Sequence, residues 1–327
     1  MDSLYKKINK WIPSKSDDAK SRSTMVQFYV AILGVDLSSF FEEFSERISR
    51  IEYDFVESAI TSGAMCFFGS LVMSLTQLGY INNIEELFTF AACYILTDHY
   101  LDDNTVVMEN KVNTIHQINK FIDMVKNHQN HHNKIRIDSP IIKVVAKNYI
   151  SMVTKIPSSE RYLREVFQAE VKTMYLQTHD NLDRDTYLEI SEWKGGLFCN
   201  AIQAILELEV TQAEYDLGAC IQLVDDILDI EDDMSLGIST IVTHDYKVYG
   251  NLDRLLMYTV DRIDNLDRKY NLFKVILCWG LTLSIHNNRE KYSKSMIDMM
   301  DNFIYYKPTT TKRSLIVWMK EKLVNCK

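Results

Sequence analysis

The chain has few residues that favour tight turns. Only 10 Gly and 4 Pro occur among its 327 residues, whereas β-sandwiches and nucleotide-binding α/β folds need frequent turns and glycine loops. From residue 24 onward, apolar side chains recur at the spacing of α-helices, and short polar breaks separate the helical segments, among them Gly79–Asn83, Ile156–Ser159 and Gly237–Asn251. No β-strand alternation of useful length and no internal repeat occurs. The sequence therefore predicts an all-α protein.

The same pattern predicts how the chain is organised. Residues 1–24 are polar and we expect them to form an N-terminal arm, while residues 25–327 form one large helical domain. Residues 58–84 carry no charge and are long enough to cross a bilayer. Because Ser, Thr and Gln interrupt this segment and no basic flank follows it, a buried central helix is favoured over a transmembrane segment.

The net charge of −9 excludes one class of partner. Nucleic-acid binding requires Lys and Arg on a concentrated face, so nucleic acid is not expected as a partner. The six Cys form no C-x-x-C pair and the N-terminus has no signal-like apolar block, which favours a reducing, cytoplasmic location. An acidic chain of this kind binds an anionic substrate only through metal ions or a local basic cluster.

Two acidic clusters stand where apolar helical segments end. In the first, Asp98 and Asp102 are four residues apart and share a helix face, and Asp103 follows directly. Like charges on one face repel each other, so the cluster is unfavourable unless a cation compensates it. The alternative is an acidic helix end that is simply solvated.

The second cluster is longer. Asp225, Asp229 and Asp233 fall at i, i+4 and i+8 and form one acidic stripe. A calcium-binding EF-hand does not fit, because Ile230 stands where the calcium loop needs Gly. Mg²⁺ prefers oxygen ligands and is commonly held by carboxylates together with substrate phosphates. Two such clusters facing each other would therefore hold Mg²⁺ and a diphosphate.

Two further features have competing interpretations. Lys194 precedes Gly195 and Gly196 inside a helical pattern, and each Gly costs about 1 kcal/mol there relative to Ala. We expect the backbone to approach a ligand at this point, with Lys194 directed at its charge; close helix packing is the alternative. His128, His131 and His132 lie in a polar stretch that is typical of an exposed loop rather than a metal site.

In order and spacing, these motifs resemble the class I isoprenoid synthase superfamily and its trans-prenyltransferases in particular. The resemblance covers about residues 84–240. The matching pieces are Asp98, Asp102 and Asp103; Gln177 and Asp180; Leu188 to Ile190 with Lys194 to Phe198; Gln222 with Asp225, Asp226 and Asp229; and Leu236 to Thr240. It implies a class I terpenoid synthase-like helical bundle with a central apolar cavity.

The departures from the family pattern narrow the expected activity. Chain-elongating prenyltransferases carry a basic Gly-Lys-Arg-x-Arg-Pro segment before the first acidic motif, whereas residues 61–70 contain no basic residue here. The paired arginines that follow the first motif in that family are also missing. Without these cations a second diphosphate has no site, so the resemblance implies a terpene synthase that uses one prenyl diphosphate.

For this activity the resemblance implies a set of site residues. Three Mg²⁺ ions, which Mn²⁺ could replace, would be held by the acidic side chains Asp98, Asp102, Asp103, Asp225, Asp229 and Asp233. Lys194 would contact the diphosphate, with help from Gln177, Gln222 and one of the basic residues Arg161, Arg164, Arg184 and Lys247. The carbocation would be enclosed by aromatic side chains, for which the candidates are Phe67, Phe68, Phe90, Tyr94, Trp193, Phe198 and Trp279. Asp98, Asp102, Asp225 and Lys194 would be the catalytic residues.

We expect the substrate to be C15 farnesyl diphosphate, with C10 and C20 prenyl diphosphates as alternatives. Two other functions stay open at this point. One is a condensing prenyltransferase of the polyprenyl or squalene and phytoene type, and the other is a non-catalytic subunit that partners an active synthase. A homodimer is compatible with each of these.

Overall fold

The computed structural model describes residues 46, 57–103, 105–126, 140–177 and 182–303. Within these ranges every regular element is a helix and no strand occurs, which confirms the all-α class. The expected polar arm at residues 1–24 and the loop with His128, His131 and His132 lie outside the described residues.

The described α-helices are numbered here in chain order. They are α1 (Glu57–Leu78), α2 (Ile84–Asp102), α3 (Met108–Lys126), α4 (Pro140–Lys155), α5 (Glu160–Gln177), α6 (Arg184–Ile205), α7 (Gln212–Leu228), α8 (Ile230–Leu236), α9 (Ile241–Tyr249), α10 (Asp253–Asp264), α11 (Asn271–Asn287) and α12 (Lys294–Phe303). Short 3₁₀ helices at Pro157–Ser159, Arg268–Tyr270 and Arg289–Lys291 precede α5, α11 and α12.

The described chain divides into two compact units, of which the first includes residues 57–92 and the second residues 93–303. In the first unit, α1 covers most of the uncharged segment, and its Phe67, Met73 and Leu75 are buried. Phe67 meets Phe88 edge to face at 5.6 Å between ring centroids. Among the helices described, none combines the length and the apolar character needed to cross a membrane.

In the second unit, α6 packs along α7, and α5 and α11 flank this pair. The Lys-Gly-Gly segment does not interrupt α6. A Cβ added to Gly196 would lie 2.4 Å from the Tyr215 ring, and Gly195 lies against the backbone of Gly218. Close helix packing, the alternative interpretation of these glycines, therefore accounts for them: they allow α6 and α7 to approach closely.

Two helices begin where several polar residues could serve as the N-cap. The N-cap of α6 is Asp183, whose side chain accepts a hydrogen bond from the Thr186 amide, rather than Asp185. Before α5, the Ser159 hydroxyl donates to the Ile156 carbonyl within the 3₁₀ turn instead of capping the helix. In both places several polar residues in succession could cap, and the backbone turn selects among them.

Candidate functional site

A cleft of about 110 Å³ opens in the second unit. Five carboxylates and one ammonium group line it, together with hydroxyl and amide groups and a few apolar side chains. The lining residues are Asp98, Thr173, Tyr187, Ile190, Ser191, Lys194, Gln222, Asp225, Asp226, Asp229, Asp233, Ile238, Ser239 and Thr240. The fold thus brings one member of the first acidic cluster, the whole second stripe, Lys194 and Gln222 to one place.

The second acidic stripe crosses the junction between α7 and α8. The Asp229 amide donates to the Asp225 carbonyl at 3.0 Å, and the Asp233 amide donates to the Asp229 carbonyl at 2.9 Å. Helical hydrogen bonding therefore continues through the junction, which keeps all three side chains on the cleft side. Gly237, with φ of 71°, ends α8 in the left-handed region. Beyond it, the Thr240 hydroxyl donates to Asp233 Oδ2 at 3.1 Å.

Lys194 joins three helices at the cleft wall. Its Nζ lies 2.6 Å from Asp98 Oδ1 on α2 and 3.2 Å from Glu170 Oε2 on α5. Burial disfavours ionisation of Asp98, but the charge and hydrogen bond of Lys194, together with a hydrogen bond to Glu170, outweigh it and hold the pKa of Asp98 below its usual value. In this structure Asp98 is therefore an ionised carboxylate whose charge is balanced by a lysine.

The negative charges of Asp225 and Asp229 in the acidic stripe are less well balanced by positive charge than that of Asp98. Asp225 keeps exposed surface along the cleft, yet the loss of hydration there, followed by the charges of Asp229 and Asp226, raises its pKa to about 8. The same two effects, desolvation and neighbouring carboxylates, raise the pKa of Asp229 to about 6. These residues carry unfavourable electrostatic free energy that a bound cation would relieve.

Asp226 is buried at the inner end of the cleft. Gln222 Nε2 donates to its Oδ1 at 2.8 Å. Burial raises the pKa of Asp226, and the hydrogen bonds of Gln222 and the nearby Ser191 oppose that change. No hydrogen bond of standard geometry reaches Asp226 Oδ2 from the described residues. Gln222 thus orients an acidic side chain of the site.

Glu170 was missed by the sequence analysis. It is 3% exposed and lies on α5 among buried apolar side chains such as Val166 and Phe167. A lone carboxylate on an otherwise apolar helix face, seven residues before Gln177, was the available signal. That signal becomes informative only when the lysine that pairs with Glu170 is known.

Arg184 forms a buried ion pair that holds α9 against α6. Its guanidinium binds Asp245 in a two-pronged arrangement with contacts of 2.9 to 3.1 Å, and Asp245 is fully buried. His244 Nδ1 lies 3.3 Å from Asp245 Oδ1. Arg184 therefore supports the wall of the cleft that contains Ser239 and Thr240 rather than lining the cleft itself.

Several of the expected site residues lie elsewhere. Asp103 is exposed and its Oδ1 accepts hydrogen bonds from the amide and hydroxyl of Thr105, so it forms a turn outside the cleft. Arg161 is on the surface, paired with Glu165 at 2.8 Å. Neither residue lines the described cleft. The side chains of Asp102 and Gln177 lie outside the described part.

None of the aromatic side chains expected to enclose a substrate lines the described cleft. Phe67, Phe68 and Phe90 are buried in the first unit. In the second unit, Trp193 lies under the Lys172 ammonium at 4.8 Å. The remaining candidates are Tyr94 and Phe198, whose rings contact each other, and Trp279, whose side chain lies outside the described part.

The contact between Tyr94 and Phe198 has a defined position relative to the cleft. Their ring centroids are 4.6 Å apart. Tyr94 is four residues before Asp98 on α2, and Phe198 is four residues after Lys194 on α6. Since residues four apart share a helix face, the aromatic pair lies one helical turn from the Asp98 and Lys194 ion pair, on antiparallel helices. An apolar contact thus adjoins the polar cleft.

The donor set of the cleft suits a hard divalent cation, because five carboxyl groups supply its oxygen ligands. In the described ranges no group of three or more His, Cys, Asp or Glu side chains is arranged to hold a metal ion by itself. Mg²⁺ does not need such a group, since it commonly binds one or two carboxylates and completes its shell with water and substrate phosphates. The residues present fit Mg²⁺ held jointly with a phosphate ligand.

Neither protein-family models nor curated protein sequences yield a match to this chain.

Proposed function

We propose that the protein is a Mg²⁺-dependent terpene synthase, which ionises a prenyl diphosphate and converts the carbocation into a terpene hydrocarbon or alcohol. The observation that carries the proposal is the composition of the cleft: it is lined by one lysine and by five carboxylates from α2, α7, α8 and the junction between α7 and α8. The resemblance of the motifs to class I isoprenoid synthases supports the same reading, with C15 farnesyl diphosphate as the preferred substrate.

The charge of the cleft limits which ligands it accepts. A diphosphate alone would be repelled by Asp98 and the acidic stripe, and one ammonium group cannot compensate five carboxylates. A divalent cation bound between the carboxylates and the diphosphate would remove this repulsion, because carboxylate and phosphate oxygens are both good ligands for it. Bound Mg²⁺ would act as a Lewis acid that stabilises the diphosphate leaving group.

The chain's own residues would then have distinct tasks. Asp98 and Asp225 would supply ligands from opposite walls of the cleft, and Lys194 would donate a hydrogen bond to a diphosphate oxygen. The cleft volume suits a diphosphate better than a C15 chain, so the hydrocarbon would extend beyond the polar lining. The rings of Tyr94 and Phe198, one turn away, would then meet the carbocation after ionisation, where aromatic faces are stabilising.

The direct test is incubation of the full chain with Mg²⁺ and C10, C15 or C20 prenyl diphosphate, with and without isopentenyl diphosphate. We expect diphosphate release and cyclic or linear terpenes by gas chromatography and mass spectrometry, without any need for isopentenyl diphosphate. Longer prenyl diphosphates would instead identify a condensing prenyltransferase. Absence of product from every substrate, together with no Mg²⁺-dependent substrate binding, would favour a non-catalytic subunit.

Matched variants connect the activity to the cleft. Asp225→Asn should lower kcat/KM by at least about 100-fold, since it removes a charged ligand from the reacting centre. Asp232→Asn is the control, because Asp232 is exposed on α8 next to Asp233 and does not line the cleft. Equal losses in the two variants would contradict the assignment of the cleft as the active site.

A further inference from the structure

Lys194 contacts two carboxylates that differ in their access to the cleft. Asp98 lines the cleft and its side chain is 19% exposed, whereas the Glu170 side chain is 3% exposed and does not line it. The two oxygens lie 2.6 Å and 3.2 Å from the same Nζ. The ammonium can therefore shift its pairing from one carboxylate to the other by a small movement of a flexible side chain.

We propose that Lys194 is an internal counter-cation of Asp98 that passes to Glu170 when a divalent cation binds Asp98, which makes Glu170 a positioning residue for Lys194. The inference rests on the proposed function in one respect, namely that a divalent cation binds at Asp98. It goes beyond that function because it assigns a task to a buried residue that the metal does not need as a ligand.

The electrostatics of the three groups favour this exchange. A divalent cation on Asp98 repels an ammonium group that lies at hydrogen-bond distance from the same carboxylate. The ammonium cannot be left unpaired at low cost, since removing one partner of a buried ion pair is strongly unfavourable. Glu170 provides the second partner, because its Oε2 already lies 3.2 Å from the same Nζ. The exchange therefore keeps the ammonium group paired.

The position of Lys194 after the exchange matters for an anionic ligand. Because Glu170 retains the ammonium at the cleft wall, Lys194 stays among the lining residues while Asp98 becomes available to the cation. Without Glu170, the lysine loses the carboxylate at 3.2 Å and competes more strongly with the incoming cation for Asp98 at 2.6 Å. Glu170 thus sets how readily Asp98 accepts a metal ion.

The test is a double-mutant cycle on Mn²⁺ binding, measured on the full chain by the electron paramagnetic resonance signal of free Mn²⁺. Glu170→Gln should weaken Mn²⁺ binding about tenfold, at the lower end of the usual loss for an outer-shell partner of a metal ligand. Lys194→Met should tighten it about tenfold, because the competing cation is gone. In the Lys194→Met background, Glu170→Gln should change the affinity less than about twofold.

The effect of Glu170→Gln with Lys194 present, compared with its effect in the Lys194→Met background, decides whether the exchange occurs. If Glu170→Gln weakens Mn²⁺ binding by the same factor with and without Lys194, Glu170 acts directly on the metal as a nearby charge and the exchange is refuted. The exchange is also refuted if Asp98→Asn leaves the Mn²⁺ affinity unchanged, or if no variant binds Mn²⁺. Lys269→Met is the matched control: it breaks the pair of Lys269 with the buried Glu214 at 2.6 Å, away from the lining residues, and should leave Mn²⁺ binding unaltered.

Folding of the variants is checked by circular dichroism. If Glu170→Gln does not fold, Glu170→Asp supports the same comparison, since it keeps the charge but shortens the side chain that reaches Lys194. It should weaken Mn²⁺ binding with Lys194 present and have no effect in the Lys194→Met background. Equal weakening in both backgrounds would again refute the exchange.

Failure of this inference can be told apart from failure of the proposed function. A chain that releases diphosphate from prenyl substrates but gives equal Glu170→Gln effects in both backgrounds would be a terpene synthase without the lysine exchange. A chain that gives the expected Mn²⁺ cycle but no product from any prenyl diphosphate would have the exchange without the proposed activity.

Discussion

The backbone of Gly195 on α6 lies against the backbone of Gly218 on α7, so closely that a Cβ added to Gly195 would be 2.2 Å from the Gly218 carbonyl oxygen. The reciprocal distance, from a Cβ on Gly218 to the Gly195 carbonyl oxygen, would be 2.0 Å. Lys194 and Gln222 each adjoin this crossing, because Lys194 precedes Gly195 and Gln222 follows Gly218 by four residues. The spacing of these two helices therefore sets the width of the cleft between their side chains.

This contact predicts that Gly195→Ala separates the two helices and destabilises the protein by about 2–4 kcal/mol, as in other overpacked cores. The measurement is the free energy of unfolding in urea. Gly69→Ala is the matched control on α1, where a Cβ would have no neighbour within 4 Å, and it should be neutral or stabilising by up to about 1 kcal/mol. Similar effects of both substitutions would contradict the close crossing.

A second prediction concerns the cost of the acidic stripe. Asp225→Asn should raise the melting temperature of the metal-free protein at pH 8.5 by about 1–2 °C. It removes a carboxylate that loss of hydration in the cleft and the neighbours Asp229 and Asp226 disfavour, and the gain is small because the side chain keeps exposed surface. The raised pKa of about 8 sets the sign: this carboxylate costs no stability at pH 4, and the cost grows as the pH rises toward 8. The gain should therefore be smaller at pH 5, in scans with a chelator present.

The same two proteins, wild type and Asp225→Asn, can be compared with Mg²⁺ present. The wild-type melting temperature should rise with Mg²⁺ and diphosphate together, because ligands that bind only the folded state stabilise it. Asp225→Asn should lose most of this rise. A variant that is less stable than the wild type at pH 8.5 without metal would show that the carboxylate is not under electrostatic strain.

A third prediction separates the two members of the first acidic cluster that have described side chains. Asp98→Asn should abolish Mg²⁺-dependent activity, whereas Asp103→Asn should change kcat/KM less than about twofold, because Asp103 is occupied by Thr105 outside the cleft. The assay is the release of diphosphate from farnesyl diphosphate. A loss of activity in Asp103→Asn comparable to that in Asp98→Asn would place Asp103 among the metal ligands after all.

A fourth prediction concerns acid stability. Glu214 is buried at the start of α7, where Thr211, Lys269 and Tyr270 all donate hydrogen bonds to it. Burial opposes its ionisation, but these bonds prevail and lower the pKa of Glu214 from its usual value of 4.5. The stabilisation is therefore complete above pH 4.5 and is lost as the pH falls through the folded-state pKa.

Glu214→Gln should consequently reduce the free energy of unfolding at pH 7 and make less difference as the pH falls below about 4. Urea unfolding of the wild type and the variant across this range is the measurement. Glu207→Gln, at an exposed position before α7, is the control and should leave both stability and its pH dependence unchanged. A constant difference between wild type and Glu214→Gln at every pH would refute the role of the charge.

Local sequence was sufficient for the helices and for part of the site. The helical period and the scarcity of Gly and Pro predict an all-α chain, because each is a property of neighbouring residues. The breaks at Gly79–Asn83 and Ile156–Ser159 coincide with the ends of α1 and α4. The expected break at Gly237–Asn251, in contrast, contains α9, which the buried Asp245 holds against Arg184 on α6. A contact between two residues that are 61 positions apart in the sequence cannot be recognised from a local pattern.

The sequence by itself determined which residues share a helix face, and so it grouped Asp225, Asp229 and Asp233. Only the tertiary structure decided what stands opposite them: Lys194 meets Asp98 across 96 residues of chain and Glu170 from a third helix. Likewise, only the fold turned Gly195 from an expected ligand contact into a helix crossing. The physical reason is that periodicity describes a single helix, whereas burial, ion pairing and pKa depend on the groups that packing brings from other helices.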